Sequence, residues 1–182
     1  MDLYRRLLHC RGSLDVAIAF PDDDIPLGVH SVLLATISRY FAYYFGVVEP
    51  QDDKFTVTVS YATKATAEKL FALVYAFDDP RNVIGPMKAS CITETDKAAQ
   101  SDAIRSMFDV LELAIRWDML LLVPVLEDLL ISIITPSTVL MSTVASLPPH
   151  QPFTHVPVTV YTFASQHRFQ VVLDACRYHL SH

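Results

Sequence analysis

The chain has 182 residues, 52% of them hydrophobic, with a formal net charge of −6 at pH 7 and a pI near 5.5. At about 100 to 200 residues per domain, that length holds one domain or one domain with an appendage. The acidic balance excludes bulk electrostatic attraction to a polyphosphate, so direct nucleic-acid binding is not expected, and three widely spaced cysteines, Cys10, Cys91 and Cys176, are expected as free thiols.

In chain order, Leu3-Tyr4-Arg5-Arg6-Leu7-Leu8 reads as a short amphipathic segment ending near Gly12. It is too short to be stable alone, so it must dock, either on its own domain or on a partner subunit. Its interleaved charges lack the ordered regions of a signal peptide, and a cytoplasmic or nuclear location is expected. Val16, Ile18 and Phe20 then alternate along a strand, Pro21-Asp22-Asp23-Asp24 forms a polar hairpin tip, and Ile25 to Val29 returns as a second strand. From His30 the period changes. Val32, Leu33, Ile37, Phe41 and Phe45 recur at helical spacing, with Ser38 placed to cap the second of two short helices. Phe55 to Ser60 predicts a third strand, and Ala67 to Tyr75 a helix.

Between about 79 and 101 the pattern lapses into an inserted loop, with Gly85-Pro86 as breakers and Val83-Ile84 as a candidate edge strand. Asp102 is a candidate cap for a helix burying Ile104, Phe108, Leu111, Ala114, Ile115 and Met119, and Pro124 suits the first turn of the next. The run from Met119 to Ile134 is the most apolar, but it contains Glu127 and Asp128 and falls short of the roughly 20 residues a bilayer requires. It is expected as buried helix, with no membrane association. A further helix is expected from Val139 to Leu147. A shift of 50 positions sets Ala164 on Ala114, Phe169 on Met119, Cys176 on Leu126 and Leu180 on Leu130, two copies of a helix, turn and helix.

Several of these positions fall together as Asp15-x-x-Ile18, a hairpin, then His30-x-x-Leu33-Leu34-x-x-x-Ser38-x-x-Phe41-x-x-x-Phe45. This pattern resembles the signature of BTB/POZ domains. The likeness continues through the third strand and the 67–75 helix, although Tyr75-Ala-Phe77-Asp78 lacks the family's glycine, and through Leu111 to Leu130. The resemblance implies an α+β fold, a BTB/POZ-like small sheet covered by helices over residues 1–134, followed by a helical extension over 135–182 that resembles the BACK module. It also implies self-association, with Leu3, Tyr4, Leu7 and Leu8 as the candidate homodimer interface. In members that recruit cullin-family ubiquitin-ligase scaffolds, an apolar-x-Glu motif lies in the loop after the hook, and Val47-Val48-Glu49 matches it in letters. The candidate contact is therefore Phe45, Val47, Glu49 and Tyr75. The plainer reading of that stretch is a solvated acidic loop.

Chemistry is scarce. His9-Cys10 with Cys176-x-x-His179 has zinc-ligand residue types, but no CxxC or HExxH accompanies it, and buried cysteine with exposed histidine is the expectation. Asp15, His30, Ser31 and Ser38 each have a structural assignment, and no GxxxxGK[ST], GxGxxG or GxSxG motif occurs. No catalytic residue, cofactor or metal is expected. The chain is expected to be an adaptor that joins an unidentified client to a cullin-family ligase, or alternatively a scaffolding homo-oligomer without any ligase.

Overall fold

Alternation of apolar and small residues makes β1 (Val16–Phe20) a strand with one wet and one dry side: Val16, Ile18 and Phe20 are buried, while Ala17 and Ala19 are half-buried. The computed structural model describes residues 14–76, 81–92, 97–133, 164–165 and 168–181. Among these, three strands and seven helices form an α+β fold. A two-residue turn at Pro21-Asp22 leads into β2 (Asp23–Val29), which pairs antiparallel to β1 with Val16 opposite Val29 and Ala17 opposite Gly28. A Cβ at Gly28 would lie 2.9 Å from the Leu14 Cδ1, so a larger residue there would displace the end of the Leu14 side chain.

Next come α1 (Ser31–Ile37) and α2 (Arg39–Val47), then β3 (Phe55–Thr58). β3 runs parallel to β1, with Val16 opposite Phe55 and Ala19 opposite Thr58, so the strand order is β2-β1-β3. A parallel neighbour needs a crossover connection, and the two-helix hook supplies it. The remaining helices are α3 (Lys64–Tyr75), α4 (Arg81–Ile92), α5 (Lys97–Arg116), α6 (Val123–Ser132) and α7 (Gln170–Ser181).

The chain divides into two compact units that interleave in sequence. One comprises residues up to 83 with 109–124, the other 84–108 with residues from 125 onward. In the first, Trp117 is fully buried, with its ring 5.2 Å from that of Phe41 and 5.6 Å from that of Phe71. Burying an aromatic or aliphatic side chain of this size contributes about 1.5–3 kcal/mol, so this cluster is a principal source of the unit's stability. In the second, the Phe108 and Phe169 rings stack 5.6 Å apart, and the Cys91 thiol lies 3.1 Å from the Met107 sulfur.

Several expectations are corrected. Residues 81–92 are helical rather than an inserted loop with an edge strand, and Pro86 lies inside that helix. A proline removes one helical hydrogen bond and crowds the preceding turn, yet packing can outweigh that cost, and Cys91 on the same helix is fully buried. α5 begins at Lys97, so Asp102 sits within it and does not cap it. Val32 and Ile115 are exposed rather than buried. The break at Ser38 rotates α2 relative to α1, so a single face cannot run through both. Leu120 and Leu121 belong to a turn, not a buried helix, and are exposed. The candidate segment with Leu3, Tyr4, Leu7 and Leu8, and the helix expected from Val139 to Leu147, lie outside the described residues.

The 50-residue offset recurs in the backbone. Asp118 and Arg168 both have positive φ, at 53° and 59°. Met119 N–H donates to Ala114 C=O at 2.9 Å and Phe169 N–H to Ala164 C=O at 2.9 Å, while Asp118 and Arg168 N–H donate to Ile115 and Ser165 C=O. Each set is a Schellman closure, in which a left-handed residue lets two amides satisfy the last helical carbonyls.

Candidate functional site

The hook formed by α1 and α2 is fixed by side chains that the sequence spaces far apart. The Asp15 carboxylate accepts from Ser31 N–H at 2.8 Å and from the Ser31 hydroxyl. His30, buried at the head of α1, shares a 2.7 Å hydrogen bond between its Nδ1 and the Tyr75 hydroxyl, and its backbone N–H donates to the same oxygen at 3.3 Å. His30 Nε2 is buried without a hydrogen-bond partner. Burial holds the Tyr75 phenol above the ordinary tyrosine range, so its hydroxyl remains neutral. Ser38 accepts from Phe41 N–H at 3.0 Å, as its cap position predicts, and donates to the Trp117 carbonyl. Asp15, His30, Ser31 and Ser38 therefore do not form a Ser-His-Asp relay: Ser31 is bonded to Asp15 and His30 to Tyr75.

Anchored this way, α2 turns one face inward and one outward. Phe41 is fully buried, and Phe45, half-buried, stacks on Phe41 at 5.7 Å and lies 4.6 Å from the Phe55 ring. On the opposite face Tyr40, Tyr43 and Val47 follow the three- and four-residue spacing of one helical stripe, and Tyr43 and Val47 are 73% and 60% exposed. Val48, Glu49 and Pro50 continue the surface and are exposed. The loop is then closed by a tight turn in which Gln51 and Lys54 exchange two 2.9 Å backbone hydrogen bonds, with Asp52 and Asp53 at φ 50° and 60°. Two consecutive left-handed residues match the primed turn favoured in hairpins. The segment carrying Val47 to Glu49 is thus pinned at both ends.

A second stretch adjoins the head of α2. The Arg39 guanidinium holds both Asp118 oxygens, at 2.7 and 3.0 Å, and the Arg39 N–H donates to the Asp118 carbonyl at 3.4 Å. That pairing lowers the Asp118 carboxyl below its ordinary range and raises Arg39. The turn that Asp118 begins carries Leu120 and Leu121, 52% and 58% exposed.

Of the four residues expected at a partner contact, Val47 and Glu49 are on the surface, Phe45 supports α2 from beneath, and the Tyr75 hydroxyl is committed to His30. Tyr40, Tyr43, Leu120 and Leu121 were not anticipated. For the tyrosines the signal was available, since they lie on the face of α2 opposite Phe41. For the leucines it was hidden in an apolar run whose turn has no glycine.

No group of three or more His, Cys, Asp or Glu side chains is placed to hold a metal among the described residues. Cys176 is buried, and that burial pushes its thiol up to about 11, while His9, Cys10 and the His179 side chain lie outside the described residues. Among the described residues no helix is long and apolar enough to cross a membrane. The sequence matches no protein-family model and no curated protein.

Proposed function

We propose that the chain is a protein–protein interaction module of the BTB/POZ type, a self-associating adaptor in the cytoplasm or nucleus that links a client to a cullin-family ubiquitin-ligase scaffold. The observation that carries this reading is the exposed stripe Tyr40, Tyr43 and Val47 running into Val48 and Glu49, on a loop whose geometry is fixed before any partner arrives. Preorganisation of this kind lowers the cost of ordering an interface, and large aromatic side chains at a surface are the usual anchors of one. In this reading the helical hook between β2 and β3, in a sheet of order β2-β1-β3, presents the surface, and the Asp15 to Ser31 and His30 to Tyr75 ties hold the hook in place. In this reading Val47 and Glu49 touch the scaffold, Phe45 and Tyr75 hold the surface in place, and the N-terminal segment with Leu3, Tyr4, Leu7 and Leu8 joins two copies.

Co-elution of the full chain with a cullin N-terminal fragment tests the ligase link. A buried apolar anchor is worth about 2 kcal/mol or more, whereas a rim charge contributes less and chiefly tunes association rate. Val47→Asp is therefore expected to abolish co-elution and Glu49→Ala to weaken it. A folded Val47→Asp variant that binds like wild type would remove this site. Wild type that does not bind would leave a scaffolding homo-oligomer, for which light scattering with and without residues 1–12 is the measurement.

A further inference from the structure

The exposed face of α2 carries no charge beyond Arg39, which Asp118 already holds. Tyr43 and Val47 stand on it at i, i+4 spacing, and the small residues Ala42 and Gly46 run beside them, also exposed. A Cβ built on Gly46 meets nothing within 4 Å, so the row is open. At its C-terminal end the strip runs into Val48 and then Glu49, Asp52 and Asp53, all exposed, with Lys54 as the cation of that stretch. Glu49, Asp52 and Asp53 have no ion-pair partner among the described residues. The strip is therefore apolar along its length and acidic at one end.

Residues 1–13 enter β1 beside that end. The Asp15 carbonyl accepts from Phe55 N–H at 2.8 Å. Phe55 directly follows the turn that holds Asp52 and Asp53, and its ring lies 4.6 Å from that of Phe45 near the end of α2. Val47 is four chain steps from Gln51, at most about 14 Å. In sequence, Leu3, Tyr4, Leu7 and Leu8 fall on one side of a helix with Arg5 and Arg6 at its margins, and Arg11 adjoins Gly12, where the segment ends. Residues 3–11 as a helix span about 14 Å, the length of α2 with its 9 residues. So short a helix is not stable alone. Its arginines, Arg5, Arg6 and Arg11, outnumber its one acid, Asp2, so the segment is basic where the strip is acidic.

We propose that residues 1–13 fold back onto the α2 face of their own chain, laying Leu3, Leu7 and Leu8 along Tyr43 and Val47 with Arg11 beside Asp52 and Asp53. A short flexible tether gives an effective concentration on the order of millimolar, so the chain's own segment prevails over that of a dilute second copy. The proposal rests on the reading of this face as a contact surface and supplies its regulation. Folded back, the segment covers the residues that meet a scaffold; drawn away to join a second copy, it leaves them bare. Self-association and scaffold binding are thereby coupled, each favouring the other.

Cys91 and Cys176 are buried, so a nitroxide on the full chain carrying Asp2→Cys and Cys10→Ser labels residue 2 alone. Val32 is the control, since it is exposed and adjoins Ser31, whose N–H is bonded to Asp15 at the root of the tether. A docked segment is expected to broaden the Val47 and Val48 amide resonances more than that of Val32. Arg11→Glu, Tyr43→Ser and the double variant Asp52→Asn/Asp53→Asn, in which asparagine tolerates the left-handed backbone, are each expected to cut that excess about twofold or more. An ionic strength of about 1 M, where charges are screened beyond about 3 Å, is expected to reduce it as well. Equal broadening at Val32 and Val47, or an excess that survives both Arg11→Glu and Tyr43→Ser, overturns the proposal. So does broadening in an isotope-labelled chain without nitroxide when it is mixed with a nitroxide-bearing unlabelled chain, because the segment then lies on a second copy. A cullin N-terminal fragment is expected to abolish the excess as it binds, and one that binds and leaves the excess unchanged overturns the shared surface. A fragment that binds no form of the chain removes the ligase reading alone, and the broadening still decides where the segment docks.

Discussion

Replacing Ser38 with alanine removes one oxygen and two hydrogen bonds. The residue is only 2% exposed, and its hydroxyl oxygen accepts from Phe41 N–H at 3.0 Å while its proton goes to the Trp117 carbonyl at 2.5 Å. Losing a helix cap costs about 1 kcal/mol, and leaving a buried carbonyl unpaired costs about 1–3 kcal/mol. The void is a single atom, too small for water, so no solvent replaces the lost donor. Ser38→Ala is therefore expected to destabilise the first unit by about 2–4 kcal/mol, a large share of the ~5–15 kcal/mol typical of a domain. Thr63→Ala is the control: it also caps a helix, α3, and its hydroxyl also meets that of Thr66 at 3.0 Å, but Thr63 itself is exposed and no backbone carbonyl loses its donor, so the expected cost is about 1 kcal/mol. Urea unfolding followed by Trp117 fluorescence measures both. If Ser38→Ala costs no more than Thr63→Ala, the hydrogen bond to Trp117 adds nothing and the reasoning fails.

Tyr75→Phe leaves His30 Nδ1 and the His30 N–H without the oxygen they share, and is expected to cost about 1–3 kcal/mol in the same assay. Arg168→Gly relieves a left-handed backbone at φ 59° and is expected to stabilise the second unit by about 1 kcal/mol, read as a higher melting temperature by circular dichroism. Asp23, through the Ile25 N–H and Lys64, and Asp118, through Arg39, have folded pKa values below 3.8. Their contribution is thus present above about pH 4 and lost as pH falls through the depressed values; Asp118→Asn should flatten the fall in urea midpoint between about pH 4 and 2. Tyr61 and Tyr75 are raised above 10.0, so the sign reverses: their contribution is complete below about pH 10 and declines as pH rises through the folded values. Tyr61→Phe should reduce that alkaline loss.

Local pattern was enough for the hairpin, the hook and the Ser38 cap, because each depends on residues within a few positions of one another. Phe41 and Ile37 were recognisable as core for the same reason, and the 50-residue repeat gave a turn between helices in each copy, without singling out Asp118 and Arg168, whose left-handed backbones close the first helix of each without a glycine. What local pattern misjudged were places where distant packing decides. The helix from Arg81 holds a Gly-Pro pair that propensity alone would break, but Cys91 on it is buried. Val32 and Ile115 fit an apolar period and face solvent, since periodicity does not say which face a neighbour covers.

The interleaving of the two units has a consequence for synthesis. Phe41 and Phe71 precede Trp117 by 76 and 46 positions, and residues 84–108, which belong to the other unit, are made between them. A nascent chain that has emerged only to residue 83 has a hairpin and hook but no indole to fill its aromatic centre and no Trp117 carbonyl for Ser38. Closing a contact across so long a stretch delays the ordered state, and until it closes the aromatic side chains of the unfinished unit are open to the chaperones and proteases that patrol the ribosome exit.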